Sequence, residues 1–344
     1  MEKVEISILM PVFNVEKYVK YAIESIQAQT LKNWELIILN DGSTDSSGKI
    51  CDDIAKEDKR IKVIHKNNTG VSNTRNILLD NANSEYIIFV DSDDLIHKDY
   101  LMSLLNEEYN NNSDLVVCGF IERKISKNNE VNDSMKLYKT ESFMEIDKMK
   151  DRILEFGNSG LLNPLWNKLY KKNIIFENNI RFKEEVETGE DFVFNLQYIS
   201  NIKNISFVDK CLYYYIRRSN DSITYKYIDN MYFKGVEIHE ILEEFLNKMN
   251  FYNDSNRYIL YGNHLMGVFS ACLNLFHNDC KLTFYEKKEY IRKIVSREYV
   301  KECANNRKND KGLIGLMSLL IRVKNSTIIC GVFKGISLVR RVKA

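Results

Sequence analysis

Three carboxylates crowd into Asp91-Ser92-Asp93-Asp94, directly after the apolar run Tyr86 to Val90. Like charges so close repel one another unless a cation shares them, and hard divalent ions take oxygen ligands while keeping positions for phosphate oxygens. The cluster is therefore read as a site where Mn2+ or Mg2+ carries a diphosphate. Asp93 is the first candidate ligand, and Asp91 is a second ligand or a partner of ribose hydroxyls. Ser92 shares the ligand-facing turn, and Asp94 stands with the ligands or behind them. A cation there would support the negative charge that develops on a departing diphosphate. The plain alternative is a solvated acidic turn.

Three further groups have matching chemistry. Asp41, in Asn40-Asp41-Gly42-Ser43-Thr44-Asp45, can accept a hydrogen bond from a pyrimidine ring N–H, and Gly42 lets the chain turn closely around a ligand. Asp45 is read as a cap for the next helix. The segment Gly70-Val71-Ser72-Asn73-Thr74-Arg75-Asn76 opens a helix whose free amides, with Arg75, offer positive potential to phosphate or ribose. Gly189-Glu190-Asp191 supplies carboxylates separate from the metal cluster. Attack by an acceptor hydroxyl needs a group to take its proton, and Asp191 is the candidate base. The same pair also suits a helix start.

The elements that position these groups alternate. Val4 to Met10 is an apolar run ending at Pro11, and Val15, Tyr18, Val19, Ala22 and Ile26 then recur at helical spacing, with Asn14 as the expected N-cap. Leu36 to Leu39, Ile61 to Ile64 and Tyr86 to Val90 repeat the strand pattern, with helices expected around Ser47 to Ile54 and from Val71. Strands without polar alternation, separated by helices, predict an α/β fold with a mostly parallel central sheet covered on both faces. Ligands in such sheets bind beyond the C-terminal strand ends, where each polar cluster above falls. A helix around Lys98 to Tyr109 and a strand around Leu115 to Cys118 follow, and Glu122 to Lys136 reads as a polar loop.

At 344 residues, with 44% hydrophobic and 28% charged residues, the chain can build a large core and is not a disordered one. We expect a main domain over 1–224, a helical region over 225–311 and a basic amphipathic tail over 312–344. A formal net charge of +1 gives the whole chain no electrostatic reason to bind nucleic acid. The seven cysteines show no CxxC pair and read as free, mostly buried thiols of a cytoplasmic protein. From Gly312 onward Arg322, Lys324, Lys334, Arg340, Arg341 and Lys343 stand among short apolar runs with no Asp or Glu. That pattern suits a peripheral anchor on an anionic membrane face, with a helix packed on the body or a homodimer contact as alternatives.

Taken together and in this order, the clusters resemble family 2 of the inverting glycosyltransferases, which have the GT-A nucleotide-diphospho-sugar transferase fold. Pro11-Val12-Phe13-Asn14, Ser25 to Thr30, Asp41 to Asp45, Gly70 to Asn76 and Asp91 to Asp94 carry the likeness. It continues more loosely in Trp166-Asn167-Lys168-Leu169-Tyr170, Gly189-Glu190-Asp191 and Tyr213 to Arg218. The resemblance implies that Pro11, Val12, Phe13 and Asn14 line the nucleotide, that Asp41 reads a base, most often uracil, and that Asp191 is the general base. It also implies that Arg217 or Arg218 closes over the diphosphate, that Trp166 packs on a sugar or in the core, and that a UDP-sugar donor meets a saccharide or lipid-linked saccharide acceptor in bacterial surface polysaccharide synthesis. Two rivals are a sugar nucleotidyltransferase, disfavoured because it usually has a Gly-rich basic N-terminal loop whereas Val4 to Val15 holds no Gly, Lys or Arg, and a non-catalytic nucleotide-sugar sensor or scaffold.

Overall fold

The computed structural model describes residues 4–126, 128–138, 141–186, 188–218 and 227–343, with side chains to 339. It divides into two compact units, 1–221 and 222–344. In the first, β1 (Ile6–Val12), β2 (Trp34–Asp41), β3 (Ile61–Lys66) and β4 (Tyr86–Phe89) alternate with α1 (Val19–Gln27), α2 (Ser47–Glu57) and α3 (Val71–Asn81). The apolar runs form these strands because both faces are covered: Ile8, Leu9, Ile37, Ile38, Ile87 and Ile88 have no exposed surface. Each such side chain contributes about 1.5–3 kcal/mol by leaving water.

The chain continues through β5 (Leu95–Ile96), α4 (Tyr100–Asn111), β6 (Leu115–Ile125), β7 (Val131–Lys136), β8 (Phe143–Glu145), α5 (Ile153–Asn158), β9 (Lys168–Lys171), α6 (Lys172–Glu177), α7 (Glu190–Ile199) and β10 (Asn204–Arg218). The strands join one sheet in the order β3-β2-β1-β4-β9-β6-β10-β5. Pairing is parallel from β3 to β4 and again between β6 and β10, while β9 runs antiparallel to both β4 and β6. This is the GT-A-like arrangement, parallel in its N-terminal half and mixed beyond it.

Two local expectations are corrected. Asn14 does not cap a helix: it sits at φ 52°, α1 begins at Val19, and the Asn14 side chain accepts a hydrogen bond from Thr44 N–H at 2.8 Å. Tertiary pairing of two loops outcompetes the local cap. Nor is Glu122 to Lys136 a loop among its described residues. β6 and β7 pair from Phe120–Lys136 to Ile125–Val131, held partly by Arg123 donating to Asp133 at 2.9 and 2.7 Å. All of β7 is exposed, so neither face needs the apolar residues by which a strand is recognised.

The second unit is helical: α8 (Met231–Lys248), α9 (Asp254–Asn274), α10 (Phe284–Val295), α11 (Glu298–Asn306), α12 (Gly312–Val323) and α13 (Ser326–Lys343). Thr283 and Glu286 form a reciprocal cap at the start of α10. Met317 and Ile321 of α12 and Ile329 and Phe333 of α13 enter one core with Leu265, Val268 and Ile294. The opposite faces leave Leu313, Leu319, Val323, Ile328, Leu338 and Val339 exposed. All seven cysteines are free thiols, and five are buried.

Candidate active site

The C-terminal ends of β1 and β2 carry two loops that fix each other. Asn14 N–H donates to Ser43 Oγ at 3.0 Å, Val15 N–H to Ser47 Oγ at 2.8 Å and Glu16 N–H to Asp45 Oδ2 at 3.0 Å. Asp45 also accepts from Ser47 N–H at 2.9 Å, so it braces the start of α2. Beside these loops Val12 is buried, Pro11 is half-buried, and Phe13 is 49% exposed.

Asp41 is nearly fully buried, and its carboxylate faces the next loop. It accepts from Thr69 N–H at 2.9 Å, from Gly70 N–H at 3.1 Å and from the Lys66 ammonium. Gly42 is required there: at φ +71° a Cβ would lie 2.7 Å from Asn68 N. Lys66 closes β3 beside Asp41 in register, a pairing that the sheet sets and the sequence does not signal. Gly70, at φ +90° in open space, leads into α3.

The acidic turn after β4 separates into distinct roles. Asp94 is buried and accepts from Ile216 N–H at 2.7 Å and from the Tyr213 hydroxyl at 3.0 Å. Tyr213 in turn accepts from Asp91 N–H at 3.1 Å, so Asp94 ties the turn to β10. Burial raises the Asp94 carboxyl well above its usual range, with Asp93 and Asp91 adding repulsion. The Asp91 and Asp93 side chains are 32% and 46% exposed. Burial pushes Asp91 up to about 6 against the pull of Arg75.

Among the described residues no group of three or more His, Cys, Asp and Glu side chains is arranged for a metal. Two carboxylates on one turn, both reachable and repelling each other, nevertheless fit a small hard cation, which keeps its waters and takes one or two carboxylates plus substrate phosphate.

Arg75 lies on α3 and is buried, and its charge is shared among carboxylates from two other elements. Its Nη1 donates to Glu190 Oε1 at 2.9 Å and to Asp191 Oδ1 at 2.6 Å, and its Nη2 stands 4.0 Å from Asp91 Oδ1. The sequence reading offered this guanidinium to phosphate or ribose; in the structure it joins the acidic turn to the start of α7. Burial pushes Asp191 up to about 7, with Arg75 opposing and Glu190 and Asp91 reinforcing the rise. A carboxylate of that basicity is a competent proton acceptor near neutral pH.

Alternation along β10 sends its terminal arginines to different neighbours. Arg218 donates from both terminal nitrogens to the Asp93 carbonyl at 3.1 Å, and its guanidinium stacks 3.8 Å over the Tyr18 ring. Arg217 donates to Glu122 at 2.9 Å. Glu122, Trp166, Glu190, Asp191 and Tyr215 line a cavity of about 600 Å³. Trp166 is 6% exposed and stacks on Tyr213 and on Tyr215, with centroids 4.2 and 5.5 Å away, so most of its ring is core.

The sequence profile described as Glycosyl transferase family 2 matches residues 7–175. EpsH of Bacillus subtilis (strain 168), named as a glycosyltransferase, is 33% identical over 254 residues, covering 73% of this chain and 71% of EpsH. The chain belongs to glycosyl transferase family 2. EpsJ of the same organism is 29% identical over 311 residues, covering 88% of this chain and 86% of EpsJ. In fold, this family 2 glycosyltransferase is similar to S. aureus TarS 1-349 in complex with UDP, with a TM-score of 0.63 at 21% identity over 96% of this chain and 90% of that one. Among the described residues no helix is long and apolar enough to cross a membrane.

Proposed function

We propose that this family 2 glycosyltransferase moves a sugar from a UDP-sugar to a hydroxyl of a glycan or lipid-linked saccharide during synthesis of a bacterial surface polysaccharide. The observation that carries the reading is Arg75, which brings Asp191 and the Asp91 turn to one guanidinium at the sheet edge. A uridine donor is supported by TarS, whose structures hold UDP and UDP-GlcNAc.

In this reading the nucleotide lies against Pro11, Val12, Phe13 and Asn14, with Gly70 and the α3 amides beside it. Asp41 orders the loop that meets the base, and Ser92 shares the donor turn. Mn2+ or Mg2+ held by Asp93 and Asp91 would offset the charge of the departing diphosphate. Arg218, beside Asp93, serves the donor; Arg217, bound to Glu122, serves the cavity. Asp191 takes the proton as the acceptor oxygen bonds to the anomeric carbon and the bond to diphosphate breaks. One displacement inverts that carbon. Arg75 keeps Asp191 aimed.

The exposed apolar faces of α12 and α13, with Arg322, Lys324 and Lys334 beside them, support a peripheral position on the inner membrane face, which vesicle flotation with and without anionic lipid tests. A homodimer through these faces would give concentration-dependent mass in its place.

The deciding experiment is nucleoside diphosphate release from uridine- and guanosine-diphosphate sugars, with Mn2+ and with EDTA. Metal-dependent UDP release supports the reading. Pyrophosphate release points to a nucleotidyltransferase, and tight nucleotide binding with no release from any donor, with or without added saccharides, points to a sensor.

A further inference from the structure

Lys168 stands at the start of β9 with no exposed surface. An ammonium withdrawn from water is costly unless its three N–H groups all find acceptors, and buried ammonium groups ordinarily have a carboxylate beside them. Among the described residues Lys168 forms no ion pair. It donates instead to the Leu161 carbonyl at 2.7 Å, to Asn167 Oδ1 at 2.7 Å and to the Pro164 carbonyl. Three donors meet three neutral acceptors.

The same loop is gathered from a second side. Asn195 on α7, also buried, donates to the carbonyls of Leu162, Asn163 and Pro164 at 2.8, 2.9 and 3.2 Å, and Tyr170 donates to Asn195 Oδ1 at 2.7 Å. Asn167 Nδ2 also donates to the Leu161 carbonyl at 3.2 Å, so four successive carbonyls, 161 to 164, turn inward onto three side chains. The loop also reaches the cavity: Gly160, Asn163, Pro164 and Trp166 line it together with Asp191. Asn195 lies four residues after Asp191, one helical turn along α7, so a single helix carries the proposed base and one holder of this loop.

We infer that Lys168 is a positioning residue, a buried donor that shapes residues 160–166 into the acceptor-side wall of the cavity that Asp191 also lines. This rests on the glycosyltransfer reading above for the word acceptor, but the geometry of the knot does not. Burial draws the Lys168 ammonium well below its ordinary pKa, opposed by Cys118 and Asp191, so what holds the group is its set of hydrogen-bond acceptors and not a counter-ion.

The test is Lys168→Met in the full chain, with hydrogen exchange read by mass spectrometry. Exchange in 160–166 should quicken at least tenfold while 34–41 and 71–81 stay unchanged. UDP affinity and acceptor-free donor hydrolysis should stay within twofold, while binding of octyl glucoside to the UDP-saturated protein should weaken at least tenfold. Unchanged loop exchange, unchanged glycoside binding, or equal losses in UDP and glycoside binding would overturn the proposal. If Lys168→Met does not fold, Lys168→Gln replaces it; failure of both makes the residue a support of the whole unit and overturns a role confined to the loop. Absence of UDP release from the unaltered protein would count against the transferase reading alone, since loop exchange still decides Lys168.

Discussion

Arg75 Nη1 and Asp191 Oδ1 lie 2.6 Å apart across 116 residues of sequence, joining the second turn of α3 to the first turn of α7. The contact makes the guanidinium a counter-charge for the proposed base. Removing one partner of a buried ion pair leaves the other uncompensated, at a cost of about 3–5 kcal/mol. Arg75→Ala should therefore melt well below the unaltered protein and raise the pH at which activity reaches half its plateau, since Asp191 loses the influence that lowers its pKa. Thermal unfolding and a pH–rate profile check both, and an unmoved profile in a folded variant would separate Arg75 from the base.

Asp191 itself predicts a specific pH dependence. A general base works as the carboxylate, and this one sits at about 7 because burial outweighs Arg75. kcat/KM should fall about tenfold for each pH unit well below that value. Its folded pKa lies above the unfolded value, so protonation favours the fold: this group's contribution to stability is greatest at low pH and is lost as pH rises through about 7. Asp191→Asn should cut transfer by at least about 100-fold, flatten the acidic limb and leave UDP binding near that of the unaltered protein, with melting lowered less than in Arg75→Ala because Glu190 and Asp91 still face the guanidinium.

These assignments show what sequence does and does not disclose. The strand runs and the acidic, glycine-bearing turns at their ends are local, so the sheet edge and its clusters were legible from composition and order. The division of labour inside Asp91 to Asp94 was not, because Tyr213 and the amide of Ile216 that claim Asp94 arrive from β10, more than 100 residues later. Arg75 was legible as a candidate site residue but not as a partner of Asp191, for the same reason. Lys168 stands in the looser stretch Trp166 to Tyr170, but nothing local tells its role, since two of its three acceptors are backbone carbonyls, which every residue has.

The split within the acidic turn predicts opposite phenotypes. Asp94→Asn presents an amide where two donors now find carboxylate oxygens, and one unsatisfied buried donor costs about 1–3 kcal/mol. It should lower the melting temperature and leave the Mn2+ response in place. Asp93→Asn should do the reverse, retaining the fold and losing the difference between Mn2+ and EDTA in UDP release. Melting curves and release assays on both variants decide it, and a metal response lost only in the Asp94 variant would reverse the assignment.

The two arginines at the end of β10 should part in the same way. Arg218 contacts Asp93 and Tyr18, on the side proposed for the donor, whereas Arg217 is held by Glu122 at the cavity. A phosphate contact by arginine is charge-assisted and worth about 1.5–3 kcal/mol, so Arg218→Ala should raise the donor KM about tenfold or more. Arg217→Ala should leave donor KM within about twofold, because its charge is engaged elsewhere, and act on acceptor KM through the freed Glu122. Steady-state kinetics with each substrate varied in turn would expose an exchanged assignment, since the donor effect would then follow Arg217.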